Sequence, residues 1–384
     1  MSRRTRLVIA SACVLLAVLG LIFPLFRLGS VPSRKPIAWL LQPDSYRIGT
    51  VLQGSRVEMS LGLFSGLKPG PMPASIPRLP PPMRKAADWI VERGRALAVK
   101  LGLHVGIEAP AFLKLERTEV AVHTSQGPFV VISFLLNTDS PGDYQGNLVV
   151  HLRGSAYGNT NKVVPVTARV IAAIPSNAPA VLIAETPYEC YATDNGKAFE
   201  PLAALNTRLA AKGVKVSFCR HLPGSLNAFR TILVAGPEMA RLDTPQMKRL
   251  QEFVTGGGRL ILAANAFFVP TVPKANTVLN SFGLQIVDQD AGQAITGGQV
   301  VSDLLTAGVN HVDFFRASLI NLTDPSQGKL LVVAVDGQGG YVAVSREVRS
   351  GEVIVLTQSL WWSWIRSDPA KANNLLLLEN LLVR

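Results

Sequence analysis

The sequence predicts an all-β half followed by an α/β half, with an apolar helix in front of both. Three observations carry this. Arg230 to Asn265, RTILVAGPEMARLDTPQMKRLQEFVTGGGRLILAAN, is an uninterrupted strand, helix, strand phrase. Residues 118–171 hold strand-like runs at regular spacing, separated by polar turns. Residues 7–26, LVIASACVLLAVLGLIFPLF, carry no charge.

The apolar run comes first. As a helix it spans ~30 Å, about one hydrocarbon thickness. Arg3, Arg4 and Arg6 precede it, and such residues hold a short tail on the cytoplasmic side. The expectation is an uncleaved anchor over residues 1–27, with the domains on the outer, periplasmic or extracellular side of the cell membrane. A cleaved signal peptide is the rival, but no A-x-A site follows. The net charge of +12 would suit nucleic acid. Its distribution points elsewhere, because residues 1–110 hold 15 Lys/Arg against 5 Asp/Glu while residues 178–384 hold 18 against 17. A basic excess beside an apolar span marks a lipid surface or a topology signal, so no nucleic-acid partner is expected.

Residues 28–45 form a proline-bearing linker. Residues 46–174 then predict a β-sandwich with an insertion at 65–103. Tyr46 to Phe64 alternate polar and apolar as two strands turning at Gln53-Gly54, and Thr118–His123, Phe129–Asn137, Gly146–Leu152 and Lys162–Ile171 follow. The insertion opens with seven prolines between Pro69 and Pro82, an extended spacer or a ligand for a proline-binding module. Its second part, MRKAADWIVERGRALAVKL, has helical periodicity and either packs on the sheet or lies on a membrane surface.

Residues 178–384 predict the α/β domain. Ala180–Ala184, Val214–Phe218, Arg230–Ala235 and Arg259–Ala264 are short apolar runs of the kind buried on both faces of a parallel sheet. Leu284–Val287 is the expected fifth strand. In the helix after Arg230–Ala235, Thr244 serves as cap, Pro245 fits the first turn, and Gly256, Gly257 and Gly258 stop it. Leu330–Val335 and Tyr341–Ser345 predict a hairpin, Glu352–Thr357 a returning strand and Ala370–Leu382 a closing helix. Alternation of strand and helix in this order predicts a doubly wound sheet.

The runs AVLIAETPYECYATDNGKAFEPLAALNTRLAAKGVKV, ILVAGPEMARLDTPQMKRLQEFVTGGGRLILAAN and GEVIVLTQSLWWSWIRSDPAKANNLLLLENLL together resemble the class I glutamine amidotransferase-like domain, in its non-catalytic, membrane-associated bacterial branch. The resemblance implies a flavodoxin-like doubly wound parallel sheet over 178–384. More softly, TDSPGDYQGNLVVHL with VVPVTARVI makes 46–174 similar to bacterial immunoglobulin-like domains. Enzymes of the amidotransferase-like fold place a cysteine on a sharp strand-to-helix turn, activated by a histidine. Here that turn presents Asn265, so no catalysis is expected.

Other chemistry is sparse in the sequence. The five histidines lack metal spacing, so neither a metal nor a cofactor is expected. The triple glycine follows a helix and precedes no GK[ST], so it is a helix stop rather than a phosphate loop. Cys190 and Cys219 either pair as a disulfide or remain two thiols. Ligands of doubly wound sheets sit at the strands' C-terminal ends. That rim gathers Glu185, Tyr188, Glu189, Glu238, Asn265, Phe268, Ser359, Trp361 and Trp362, whose tryptophans could anchor a partner or cover the sheet edge. The functional expectation is a non-catalytic, membrane-anchored binding or assembly component of a cell-envelope complex, with a protein partner. The alternative is an envelope hydrolase using displaced carboxylates at Glu185, Glu189 or Asp288.

Overall fold

A computed structural model describes residues 40–42, 45–64, 104–123, 127–154, 158–173, 178–184, 199–264, 271–287, 295–314, 317–324, 326, 328–333, 340–357 and 373–383. The first half contributes β1 (Leu40–Gln42), β2 (Tyr46–Leu52), β3 (Arg56–Phe64), β4 (His104–Glu108), β5 (Leu113–His123), β6 (Gly127–Leu136), β7 (Gly142–Gly154) and β8 (Gly158–Ile171). The second half opens with β9 (Ala180–Ala184), α1 (Phe199–Ala211), β10 (Lys215–Phe218), β11 (Thr231–Ala235), α2 (Gly236–Arg241), α3 (Thr244–Thr255), β12 (Arg259–Ala263) and α4 (Thr271–Leu279). It closes with β13 (Leu284–Ile286), β14 (Ile295–Val300), β15 (Val312–Phe314), β16 (Ile320–Leu322), β17 (Lys329–Val333), β18 (Tyr341–Val348), β19 (Gly351–Leu356) and α5 (Asn374–Val383).

These strands form two sheets among the described residues. One has 15 strands along the path β15-β14-β17-β18-β19-β12-β11-β9-β10-β3-β6-β5, with β1 beside β3 and the β13–β16 pair attached through β18. The other has four, in the order β2-β8-β7-β4. This corrects the expected fold class. In place of a self-contained flavodoxin-like parallel sheet behind a separate sandwich there is one mixed sheet, antiparallel at both flanks. Its middle strands from β19 to β3 run parallel. The join is β10, which pairs with β9 on one side and with β3 on the other. Leu284–Ile286 is not a fifth parallel strand either: it pairs antiparallel with β16, through a buried, exposed, buried pattern suited to a half-covered strand.

Among the described residues no helix is long and apolar enough to cross a membrane. The expected single-pass anchor, and the outer-side localisation drawn from it, are supported by no described helix and are not carried forward. Residues 7–26, the proline-rich stretch and the helix expected at 83–101 lie outside the described residues.

Burial follows the strand chemistry. The middle strands hide both faces, so each carries consecutive apolar residues. Val181, Ile183, Leu233, Ile261 and Ile354 look toward α1 and α5, whereas Leu182, Ile232, Val234, Leu260 and Val353 join the core under α2, α3 and α4. The four-stranded sheet covers one face of β3 and β6, and its strands therefore alternate. Leu148, Val150, Leu152, Val164 and Val166 point into the same core as Met59, Leu61, Ile132 and Phe134. Tyr46 meets Phe134 edge to face at 5.3 Å.

Helix α1 closes the open edge of β2. Asn206 is fully buried and donates to the Ile48 carbonyl at 2.8 Å, while the Thr207 hydroxyl accepts from the Thr50 amide at 3.1 Å. These bonds satisfy backbone groups that an uncovered edge would leave for another strand. Gly49 is required there: its φ is +77°, and a Cβ would lie 2.3 Å from the Ala203 carbonyl oxygen.

Helix α3 is capped one residue earlier than expected. Asp243, not Thr244, is the N-cap; its carboxylate accepts from the Gln246 amide at 2.7 Å and the Gln246 side chain accepts from the Asp243 amide at 2.8 Å. Gln246 completes the reciprocal box with Asp243 because it stands three residues on. At the other end, Gly257 adopts φ +101°, and a Cβ at Gly258 would enter the Phe253 ring. The triple glycine thus has steric work at the helix stop.

Candidate functional site

The sequence-predicted rim falls almost wholly outside the described residues. Glu185, Tyr188, Glu189, Asn265, Phe268, Ser359, Trp361 and Trp362 lie there, as do Asp288 and Cys190. Glu238 is described. It sits in the first turn of α2, is buried, and accepts from Arg241 Nη1 at 3.3 Å. Cys219 is a free, buried thiol just beyond β10. Burial, with the nearby carboxylates Glu58 and Glu238, pushes its pKa up to about 12. At neutral pH the sulfur is therefore protonated and a poor nucleophile. Among the described residues no group of three His, Cys, Asp or Glu side chains could hold a metal ion.

The described cavities lie at the opposite ends of the strands. Arg230 directly precedes β11, Arg259 opens β12, and Arg349 with Ser350 turns β18 into β19. Parallel pairing puts these starts side by side: Thr231 is the register partner of Arg259, and Arg259 that of Glu352. Two grooves result. One, of about 390 Å³, is lined by Arg230, Arg259, Asp303, Leu304, Lys329, Glu347, Arg349 and Glu352 among others. The second, of about 560 Å³, shares Arg230 and Gly257 with it and adds Phe229, Arg249, Glu252 and Phe253.

The charges in this double groove divide into paired and unpaired. Arg259 Nε donates to Glu352 Oε2 at 2.6 Å, and the Ser345 hydroxyl also bonds that carboxylate. Lys329 lies 3.2 Å from Asp303, whose other oxygen accepts from the Leu305 amide. Glu252 has Lys248 at 3.6 Å, one helical turn back. Arg230, Arg249, Arg349 and Glu347 form no ion pair among the described residues. Arg249 is half-buried, and its Nε is shielded from solvent without a hydrogen-bond partner among the described residues. Leu304 is 76% exposed at the rim of the first groove.

A second polar arrangement lies on the outer face of the four-stranded sheet. His151 Nδ1 is 2.9 Å from Asn161 Oδ1, its cross-strand partner, and Nε2 is 2.9 Å from Glu108 Oε1. Both bonds favour the protonated ring, so the Asn161 and then the Glu108 interaction raise the His151 pKa above its usual 6.5. The cluster is open to water on a flat face and borders no described groove.

The described grooves lie at the strand ends opposite to the sequence-predicted rim, which falls almost wholly outside the described residues. The signal was present: an arginine stands at or before the start of three neighbouring strands, in RTILVA, RLILAA and VRSGEVIVL. Arginine in those places reads as polar punctuation until the register aligns the three.

Comparison with known proteins supplies a family match over less than half of the chain and no activity. Residues 195–378 match the family described as Domain of unknown function (DUF4350). No curated protein matches. Among solved structures, an exo-beta-1,4-mannosidase from an Opitutaceae bacterium is 17% identical over 49% of this chain and 32% of its own, with a TM-score of 0.34. A Bacillus circulans beta-galactosidase is 12% identical over 54% of this chain and 31% of its own, TM-score 0.36. The Salmonella typhimurium cytoplasmic protein STM3548 is 14% identical over 62% of this chain and 94% of its own, TM-score 0.35. The chain spans about a third of the length of the two glycosidases. Likeness at this level carries no inference about substrate or activity. The expected resemblance to a class I glutamine amidotransferase-like domain, and with it the softer immunoglobulin-like one, is corrected: the family model that matches is one of unknown function, and the strands of 178–384 belong to a mixed sheet that continues into the first half of the chain.

Proposed function

We propose that the protein is a non-catalytic binding or assembly component whose partner, a protein, docks in the double groove at the N-terminal ends of the middle strands. The observation that carries the proposal is the set of three arginines, Arg230, Arg249 and Arg349, that line the groove without an ion pair among the described residues. Arg230 and Arg349 are exposed, but Arg249 is half-buried with its Nε unsatisfied among the described residues. Folded proteins seldom bury part of a guanidinium without a hydrogen bond unless a ligand or partner supplies it. Arginine is also the charged residue most enriched where protein interfaces concentrate their energy. The state of Cys219 supports a binding role over thiol chemistry at that position, because its proton stays on across the physiological range.

The test is affinity purification of the full chain from its native cells after crosslinking. Protein recovered reproducibly with the wild type should be absent with R230E/R249E/R349E, provided that variant gives the wild-type circular dichroism spectrum. Recovery of the same protein with both chains would contradict the proposal.

A further inference from the structure

The geometry points to an acidic peptide segment bearing an apolar residue as the ligand of the double groove, its carboxylates seated on Arg230, Arg249 and Arg349 and its apolar side chain on Leu304. This inference rests on the binding role proposed above and specifies its chemistry.

Three independent features support it. The first is charge left over after internal pairing. Of the four lining carboxylates, Glu352, Asp303 and Glu252 have their own cations, which leaves Glu347 against three arginines. The surplus is positive in a half of the chain whose charges otherwise nearly cancel.

The second feature is the turn between β18 and β19. Arg349 has φ +57° and is the non-glycine residue with a left-handed backbone among the described residues. Two-residue hairpin turns favour Gly, Asn or Asp in that conformation. An arginine gains nothing locally from it, and the turn sets its side chain on the groove wall. Strain retained without a local reason is a mark of a functional position.

The third feature is Leu304. It is among the few large apolar side chains exposed in the described residues, with Leu115 and Val163, and it lines the groove that holds Arg349. A free anion such as phosphate has no use for it. A peptide carrying both acid and apolar groups satisfies the arginines and the leucine together.

The lining also limits where the acid sits. Glu347 weakens, without removing, the seat at Arg349 on the β18 side, and the other acids sit on Arg230, which borders both grooves, and on Arg249. The bonds expected are bidentate guanidinium to carboxylate pairs.

The experiment is fluorescence anisotropy of the full chain with labelled peptides of equal length: Glu alternating with Leu, Glu alternating with Gly, and Lys alternating with Leu. The expected order is Glu/Leu tightest, Glu/Gly weaker and Lys/Leu undetected. Each of R230Q, R249Q and R349Q should weaken Glu/Leu binding about tenfold. E347Q should tighten it, and L304S should weaken Glu/Leu while leaving Glu/Gly unchanged. Rising salt should weaken binding as the Debye length shortens. Equal binding of the Lys/Leu peptide, or affinity unchanged in R249Q and R349Q, overturns the acidic-peptide inference. If no acidic peptide binds yet R230E/R249E/R349E still loses its co-purifying protein, the ligand chemistry is wrong and the binding role stands. If that variant keeps its co-purifying protein, the binding role itself falls.

Discussion

Two basic clusters in the second half of the chain use the same residue types and end differently. Where α1 meets α5, Arg208 and Lys212 both reach Glu379, each at 3.0 Å, and close on a carboxylate whose side chain is only 5% exposed. At the double groove, Arg230, Arg249 and Arg349 line the walls without an ion pair among the described residues, although Glu347 lines the same wall as Arg349. The first cluster is complete within the fold and ties two helices together across a large sequence separation. The second is the open half of an interaction. The contrast teaches that a basic residue is informative by its missing partner rather than by its presence.

The largest effect should come from breaking the closed cluster on its basic side. R208Q/K212Q leaves the Glu379 carboxylate buried and uncompensated, for which loss of about 3–5 kcal/mol is typical. Since both cations are near half exposed, water screens part of the pairing and the low end of that range is expected. Denaturant unfolding measures it. E379Q returns both cations to water and should cost clearly less, which separates the buried acid from its solvated partners.

A smaller effect is expected from the third charged cluster, on the outer face of the four-stranded sheet. The folded-state pKa of His151 is raised, so its contribution to stability is fully present below the unfolded value of about 6.5 and is lost as pH rises through the folded pKa. In E108Q and N161A this pH dependence should shrink. An NMR titration of the His151 ring that returns the same pKa in wild type and in both variants would remove the account of that cluster.

The elements of the βαβ phrase were legible because apolar runs and capping residues are local signals. Strands β9 to β12 and helix α3 fall close to where the sequence places them. What local signals cannot carry is pairing. The strands on either side of Gln53-Gly54 look like one unit, yet β2 pairs with β8 and β3 with β6 and β10, in different sheets. A period of two residues tells which side of a strand is buried and is silent about its neighbour. The same limit hid the mixed sheet: nothing in Lys215–Phe218 reveals that its second partner is Arg56–Val57. It hid the groove as well. Each arginine is visible, but that Arg259 has an acid depends on Glu352, almost a hundred residues away, and Arg230 forms no ion pair among the described residues.

The central claim is that Arg230, Arg249 and Arg349 serve a partner and not the fold's own charge pairing. Denaturant unfolding of R230Q/R249Q/R349Q tests it most directly. The account predicts an unfolding free energy within about 0.5 kcal/mol of wild type, as for surface positions that hold nothing in place. A loss of about 3 kcal/mol or more, like that expected for R208Q/K212Q, would make the three arginines structural and contradict the account.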